Sequence, residues 1–101
     1  MKIAVSSAGD NLDAQVSTIF GRCAYLLLVE TETMDFQAYA NPAASASGGA
    51  GIQAAQFVIE KGAKAVLTGN VGPNAMEVLR AANVSVYQVW TGTVRQAVEA
   101  F

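Results

Sequence analysis

The stretch Asn41-Pro-Ala-Ala-Ser-Ala-Ser-Gly-Gly-Ala-Gly51 leads directly into Ile52-Gln-Ala-Ala-Gln-Phe-Val-Ile-Glu60, and the chain is organised around it. Small residues run into a pattern of apolar side chains three or four positions apart, which is typical of a helix packed on a sheet. We expect this helix to end near Lys61-Gly62. Its apolar stripe consists of Ile52, Ala55 and Ile59. Its polar stripe consists of Gln53, Gln56 and Glu60.

The start of this helix has no obvious side-chain cap, because residues 48–51 read Gly-Gly-Ala-Gly. The first N–H groups of a helix have no partner inside it, and the positive end of the helix dipole lies there. The sequence therefore predicts that backbone amides bind an anion at this point, where glycine also lets a bulky ligand approach closely. The alternative is a flexible loop in which Ser45 or Ser47 folds back to cap the helix. Neither the Walker A spacing nor the Gly-x-Gly-x-x-Gly dinucleotide pattern is matched.

Composition restricts the class of protein. The 101 residues predict one small domain spanning residues 1–101, and with 52% apolar and 14% charged residues the chain is globular. A net charge of -2 with only six Lys and Arg residues argues against a nucleic-acid surface. No apolar run reaches the roughly 18 residues of a membrane span, and the N-terminal residues do not resemble a secretion signal. We expect a cytoplasmic protein that does not bind a membrane.

The chain lacks histidine and has a single cysteine. Histidine-based metal sites, histidine general bases and serine triads are therefore excluded, and one cysteine forms neither an internal disulfide nor a four-thiolate zinc site. Because no nucleophile is paired with a base, we expect no catalysis.

The order of elements is β-β-β-α-β-α-β-α, which predicts an α/β fold. The later β-α units require a mostly parallel sheet, and the short turn before Phe36 adds an antiparallel strand. Predicted strands are Lys2–Ser6, Tyr25–Glu30, Phe36–Ala40, Ala63–Thr68 and Val84–Trp90. The second helix starts at Pro73 after Gly72 and faces inward with Ala75, Val78, Leu79 and Ala82. The third follows a capping box at Thr93, with Val94, Ala97, Val98 and Phe101 on its apolar stripe.

Loops at the carboxyl ends of parallel strands are where open α/β sheets bind ligands. Two such loops are Ser6–Thr18, which we expect Leu12 and Val16 to hold against the body of the domain, and Gly69–Pro73. The helix start at Gly48–Gly51 should open on the same side.

Four kinds of side chain in or near these loops bear on chemistry. Arg22 supplies charge and hydrogen bonds to an anion, or else forms an ion pair with an acid such as Asp10, Asp13 or Glu30. Cys23 is either a soft thiolate ligand for iron, copper or molybdenum, or a small buried apolar residue. Asn70 either hydrogen-bonds a ligand or shapes its own turn. The acids Asp10 and Asp13 do not resemble a nuclease pair, because they lie in a loop and not on a strand.

A series of short motifs resembles the dinitrogenase iron-molybdenum cofactor biosynthesis family, which includes NifX-like proteins and the C-terminal domain of NifB-like proteins. The resemblance covers essentially the whole chain. The motifs are Phe20-Gly21-Arg22, Asn41-Pro42, Ser45-Ala-Ser-Gly-Gly-Ala-Gly51, Gly72-Pro-Asn-Ala75 and Gly92 before the last helix.

This resemblance implies a ribonuclease H-like fold, with a mixed five-stranded sheet and three helices, and a non-catalytic role. Family members bind or carry iron- or molybdenum-containing sulfur clusters and pass them between donor and acceptor proteins. The orange-protein branch holds a molybdenum–copper sulfide cluster, and Cys23 directly after Gly21-Arg22 is similar to that branch. Many members have histidine where this chain has Ile19, so a histidine-ligated cluster is impossible here.

The first functional hypothesis is thus a carrier of an anionic metal–sulfur cluster of the iron–molybdenum or molybdenum–copper type. The alternatives are a phosphate- or nucleotide-binding module at the same helix starts, and a protein-interaction domain acting through a sheet edge or the loop Ser6–Thr18. The sequence does not predict an oligomeric state. Cys23 is the candidate metal ligand, and the candidate cluster-binding residues are Phe20, Gly21, Arg22, Ser47, Gly48, Gly49, Ala50, Gly51 and Asn70.

Overall fold

A computed structural model describes residues 1–101, which form one mixed sheet and three helices. The order of elements is the predicted one. In chain order they are β1 (Lys2–Ser7), β2 (Tyr25–Glu30), β3 (Phe36–Ala40), α1 (Ala50–Glu60), β4 (Ala65–Thr68), α2 (Pro73–Ala81), β5 (Ser85–Gln88) and α3 (Val94–Ala100).

The strands lie in the order β3-β2-β1-β4-β5. The β1–β2 pair, joined by the long loop after β1, and the β2–β3 pair, joined by a short turn, are antiparallel, whereas β1–β4 and β4–β5 are parallel and are connected through helices. This is the mixed α/β fold expected of a ribonuclease H-like protein. The two edges are β3 and β5, and the fully buried β4 lies between β1 and β5.

Each face of the sheet has its own apolar core, because side chains alternate along the strands. On one face, Ala4, Leu26 and Val66 pack against α1 and α2. On the other, Val5, Leu27, Leu67 and their neighbours pack against α3 and the loop that follows β1.

The loop that follows β1 is fastened to the body of the protein. Leu12 and Val16 are buried, as predicted, and the Val16 amide donates to the Gly92 carbonyl at 2.9 Å. At its end, the buried Ser6 hydroxyl donates to the Ser17 carbonyl at 2.6 Å, while the hydroxyl of Thr68 lies 2.7 Å from that of Ser6. Both ends of this long loop are therefore held close to the carboxyl edge of β1 and β4.

Several predicted details were wrong at the ends and flanks of elements. The buried stripe of α1 is centred on Ala54, Ala55 and Val58, while Ile52 and Ile59 are only half-buried. Ala82 is exposed, because α2 ends at Ala81 and Ala82 is only its C-cap residue. Phe101 lies outside the core and stacks edge-to-face on Tyr87 instead. The strands β4 and β5 are shorter than predicted.

None of the three helices has the length and apolar character needed to cross a membrane.

Candidate functional site

The first turn of α1 leaves its backbone amides without protein partners. Its N-cap residue, Gly49, has φ 70° and ψ 20°, a left-handed conformation that favours glycine, and no side chain caps the helix. The amides of residues 47–52 donate to no protein acceptor, and the first turn carries no acid. The interpretation that Ser45 or Ser47 caps the helix was therefore wrong. Free N–H groups and the helix dipole make this end of α1 attractive to an anion.

The first turn of α2 is open in the same way. Gly72 is its N-cap, in an extended conformation and without a side-chain cap, and Pro73 occupies the first turn, where no amide hydrogen is needed. The amides of Asn74 and Ala75 donate to no protein acceptor. The open starts of α1 and α2 face one shallow cavity of about 210 Å³, lined by residues 49–52 and 72–75.

Small residues bring the two helices and the segment before β2 close together. A Cβ atom on Gly51 would lie 3.2 Å from that of Ala75, so α1 and α2 approach closely at their starts. A Cβ atom on Gly21 would lie 2.8 Å from the amide nitrogen of Gly51 and 2.9 Å from its Cα. Glycine is required at position 21 because the backbone of residues 20–22 lies directly against the first turn of α1.

Arg22 follows Gly21, whose backbone lies against Gly51 of the cavity lining, and its side chain is exposed. Its Nη1 donates to the carbonyls of Ala44, at 3.3 Å, and Ala46, at 2.5 Å, in the loop that precedes α1. No carboxylate lies within 4 Å of it, so the predicted alternative of an ion pair was wrong; Asp13 pairs with Arg95 and Glu30 with the N-terminal amine. A guanidinium has five N–H donors, and the three on Nε and Nη2 have no protein acceptor.

Cys23, the residue after Arg22, is buried, with 2% of its surface exposed. Its thiol donates to the Phe20 carbonyl at 3.2 Å, and desolvation by burial raises its pKa to about 11. The thiol is therefore protonated at neutral pH and packs as an apolar side chain, the second of the two interpretations above. To act as a ligand, the thiol would have to lose its proton and become exposed from the core that now buries it. Ligation by Cys23 therefore stays a prediction.

The remaining predicted residues occupy three kinds of position. Phe20 is buried in the core on the α1 side of the sheet, with 1% of its surface exposed, so only its backbone faces the site. Ser47 and Gly48 are exposed in the loop before α1. Asn70 is exposed, and its main chain pairs with Phe20 and Thr18, at 3.2 and 2.7 Å, which holds the segment before β2 at the carboxyl end of β4.

Neither Asn41 nor the residues of the first turn of α2 were among the predicted binding residues. Asn41 is buried and hydrogen-bonds the segment before β2, which could not be read from its place after a strand. For α2 there was a signal in the sequence, because Gly72-Pro73 repeats the absence of a side-chain cap seen before α1.

No group of three or more Cys, Asp or Glu side chains is placed to hold a metal ion. The free donors in this region are the backbone N–H groups at the two helix starts and, on the loop before α1, the guanidinium of Arg22, all of which attract negative charge. The arrangement thus suits an anion more than a bare cation.

The chain is similar to several known proteins. The apo form of the orange protein from Desulfovibrio gigas is 44% identical, with a TM-score of 0.94 over 99% of this chain and 85% of that one. A NifB-like protein of the DUF35 family from Thermotoga is 37% identical, with a TM-score of 0.85 over 99% of this chain and 85% of that one. An uncharacterized protein of Methanocaldococcus jannaschii is 28% identical over 104 residues, covering 100% of this chain and 85% of the relative.

The family model for the dinitrogenase iron-molybdenum cofactor matches residues 1–101. The resemblance seen in the motifs is confirmed, including its relation to orange proteins and NifB-like proteins. The chain therefore belongs to the dinitrogenase iron-molybdenum cofactor family, a family of proteins that bind or carry cofactors in cofactor biosynthesis.

Proposed function

We propose that this protein is a non-catalytic carrier of an anionic metal–sulfur cluster, containing iron and molybdenum or molybdenum and copper, which it exchanges with donor and acceptor proteins. The observation that carries this proposal is the shared cavity at two uncapped helix starts, with Arg22 following Gly21, whose backbone lies against the first turn of α1. Family membership supports the class of cargo.

The cargo would be held by amides and charge, without a covalent bond from the protein. Ala50, Gly51 and Asn74 line the cavity, and their amides, at the positive ends of the two helix dipoles, have no protein acceptor. Arg22, which hydrogen-bonds the loop before α1, would add its positive charge and its three unused N–H donors. Such contacts release an intact cluster without breaking a metal–ligand bond, which suits transfer to another protein.

The test is an anaerobic titration with tetrathiomolybdate, with and without copper(I), followed by visible absorbance and elemental analysis after gel filtration. We expect a retained, coloured species with a fixed metal stoichiometry. Molybdate and phosphate have the same tetrahedral shape but carry oxygen in place of sulfur. Binding of these oxyanions with no response to tetrathiomolybdate would replace the proposal by the phosphate- or nucleotide-binding alternative.

Variants locate the site. Arg22→Ala should weaken retention by about tenfold, the effect of losing about 1.4 kcal/mol, and Arg80→Ala is its matched control because Arg80 is exposed at the far end of α2. Cys23→Ser should leave the spectrum unchanged if amides and Arg22 hold the cargo. If Cys23→Ser abolishes binding, the thiol is a ligand. If Arg22→Ala and Cys23→Ser both leave binding intact, this site is wrong.

A further inference from the structure

Asn41 is one of only four buried polar residues, with 7% of its surface exposed, and it stands directly after β3. Its side-chain Nδ2 donates to the carbonyls of Gly21, at 3.1 Å, and Cys23, at 3.0 Å. Its Oδ1 accepts from the Ala43 amide at 3.0 Å. Both hydrogens and the oxygen of the amide are therefore used, and they join two separate segments of the chain.

The two carbonyls held by Asn41 flank Arg22 in the sequence, so the side chain fixes the backbone on both sides of the guanidinium. The acceptors of Arg22 lie in the same turn that Asn41 begins. That turn is held by the Oδ1 of Asn41, by a bond from the Ala44 amide to the Asn41 carbonyl at 3.2 Å, and by a bond from the Ala46 amide to the Ala43 carbonyl at 3.0 Å. Asn41 thus sets the position of Arg22 and that of the carbonyls to which Arg22 donates.

We propose that Asn41 is the positioning residue of the anion site, acting through Arg22. The inference rests on the proposed function for its effect on binding, but the placement of Arg22 is testable without any ligand. Only an amide side chain fits the contacts. An aspartate would set a carboxylate oxygen against two carbonyl oxygens, and a serine has one donor and is too short to span the two segments.

Asn41→Ser is the informative variant, because a serine hydroxyl still accepts a hydrogen bond from the amide two residues on and keeps the turn, while the bonds to the segment before β2 are lost. Asn41→Ala removes both sets of bonds and serves as the more severe form. Thr68→Val is the matched control, since it removes another buried polar contact, to Ser6, in which neither Arg22 nor Asn41 takes part. If Asn41→Ala fails to fold, Asn41→Ser decides.

The first measurement uses ligand-free protein and follows the Arg22 guanidinium by ¹⁵N NMR. In the wild type we expect slowed rotation and slowed hydrogen exchange of the Nη1 group relative to Arg80. In Asn41→Ser the Arg22 signal should become like that of Arg80, whereas Thr68→Val should leave it unchanged. An unchanged Arg22 signal in a folded Asn41→Ser protein would overturn the proposal.

The second measurement is a double-mutant cycle on tetrathiomolybdate binding. Asn41→Ser should weaken binding by about tenfold in the wild type, and by less than about twofold in the Arg22→Ala background, because a residue that acts through Arg22 has no further effect once Arg22 is gone. Equal weakening in both backgrounds would make Asn41 merely structural and refute the positioning role. Failure of the wild type to bind the probe would refute the cluster carrier instead, and the NMR result would still decide the role of Asn41.

Discussion

Helices α1 and α3 begin in opposite ways, although both pack on the same sheet. At the start of α3, Thr93 forms a capping box with Gln96, and the amides of Val94 and Arg95 donate to carbonyls of the loop after β1, at 2.9 and 2.8 Å. Every amide that the helix cannot satisfy thus has a partner. At the start of α1, and likewise of α2, the corresponding amides have none.

The difference shows what the fold does with its helix ends. The start of α3 is completely capped, so the open starts of α1 and α2 do not reflect a general lack of capping residues in this chain. Glycine occupies both N-cap positions, at 49 and 72, and no acid follows in either first turn. These two helix starts therefore lack the stabilisation that a cap provides, and in the proposed function an anion would supply the missing partners.

The largest test of this contrast is Gly21→Ala. The added Cβ would meet the backbone of Gly51 at 2.8 Å, and backbone atoms cannot turn aside as a flexible side chain does. Separating the segment before β2 from α1 should cost about 1–3 kcal/mol of unfolding free energy. It should also weaken tetrathiomolybdate binding at least tenfold. Urea denaturation and the anaerobic titration measure the two effects.

The control for that variant is Gly48→Ala, which lies in the same glycine-rich run but has nothing within 4 Å of its added Cβ. Its unfolding free energy should stay within about 0.5 kcal/mol of the wild type, as for most exposed positions. If Gly21→Ala is as well tolerated as Gly48→Ala, the close approach to α1 does not shape the site.

The second test measures how the stability of the protein depends on pH through its single thiol, Cys23. Burial raises the pKa of Cys23 from 9.0 to about 11, so the folded protein binds this proton more tightly than the unfolded chain does. Its contribution to stability is complete below pH 9 and is lost as the pH rises through about 11, by about 2–3 kcal/mol in total. Denaturant unfolding of wild type and Cys23→Ser at pH 8 and pH 11 measures it.

Because tyrosine and lysine also titrate in that range, the quantity of interest is the difference between the two proteins. The wild type should lose more stability than Cys23→Ser over the interval. Equal losses would mean that the Cys23 thiol is already in contact with water in the folded protein, and that the core around it is loosely packed.

The third test closes the open helix start. Gly72 has the extended conformation of an ordinary N-cap and nothing within 4 Å of an added Cβ, so Gly72→Asp should cap α2 as Thr93 caps α3. We expect unfolding free energy to rise by a few tenths of a kcal/mol, about the difference between glycine and aspartate caps. Binding of tetrathiomolybdate should fall about tenfold, because a carboxylate takes the amides and repels the anion.

Gly72→Asn separates the occupation of the amides from the repulsion of the anion by a carboxylate, since asparagine caps the helix without a charge. An intermediate loss of binding would show that amides and charge both contribute. If Gly72→Asp binds as well as the wild type, the start of α2 takes no part in the site, and α1 alone must account for any binding.

The strands and the caps were readable from the sequence because they depend on local chemistry. Alternation in Phe36–Ala40, Pro73 after Gly72, and the Thr93–Gln96 box all predicted elements that are confirmed. Phe101 and Ala82 were assigned to the core wrongly, because the apolar periodicity of the sequence continues past the residue at which each helix ends.

The site was predicted only in part, for a physical reason. The free amides at 48–51 follow from a local lack of caps, and Arg22 was noticeable as an isolated charge. The meeting of α1 and α2 in one cavity, and the bonds from Asn41 to a segment about twenty residues earlier, depend on packing that only the folded chain specifies.

The smallest test is Thr93→Ala, at the closed helix start. Loss of the hydroxyl removes the bond to the Gln96 amide, 3.1 Å in the wild type, and should lower unfolding free energy by about 1 kcal/mol. The Val94 and Arg95 amides keep their loop carbonyls, so the loss should stay at that level and tetrathiomolybdate should bind as in the wild type. Thermal denaturation and the anaerobic titration together measure this. Weakened binding in Thr93→Ala would mean that the start of α3 also affects ligand binding. The contrast between the start of α3, which we take as structural, and the start of α1, which we propose binds the ligand, would then no longer hold.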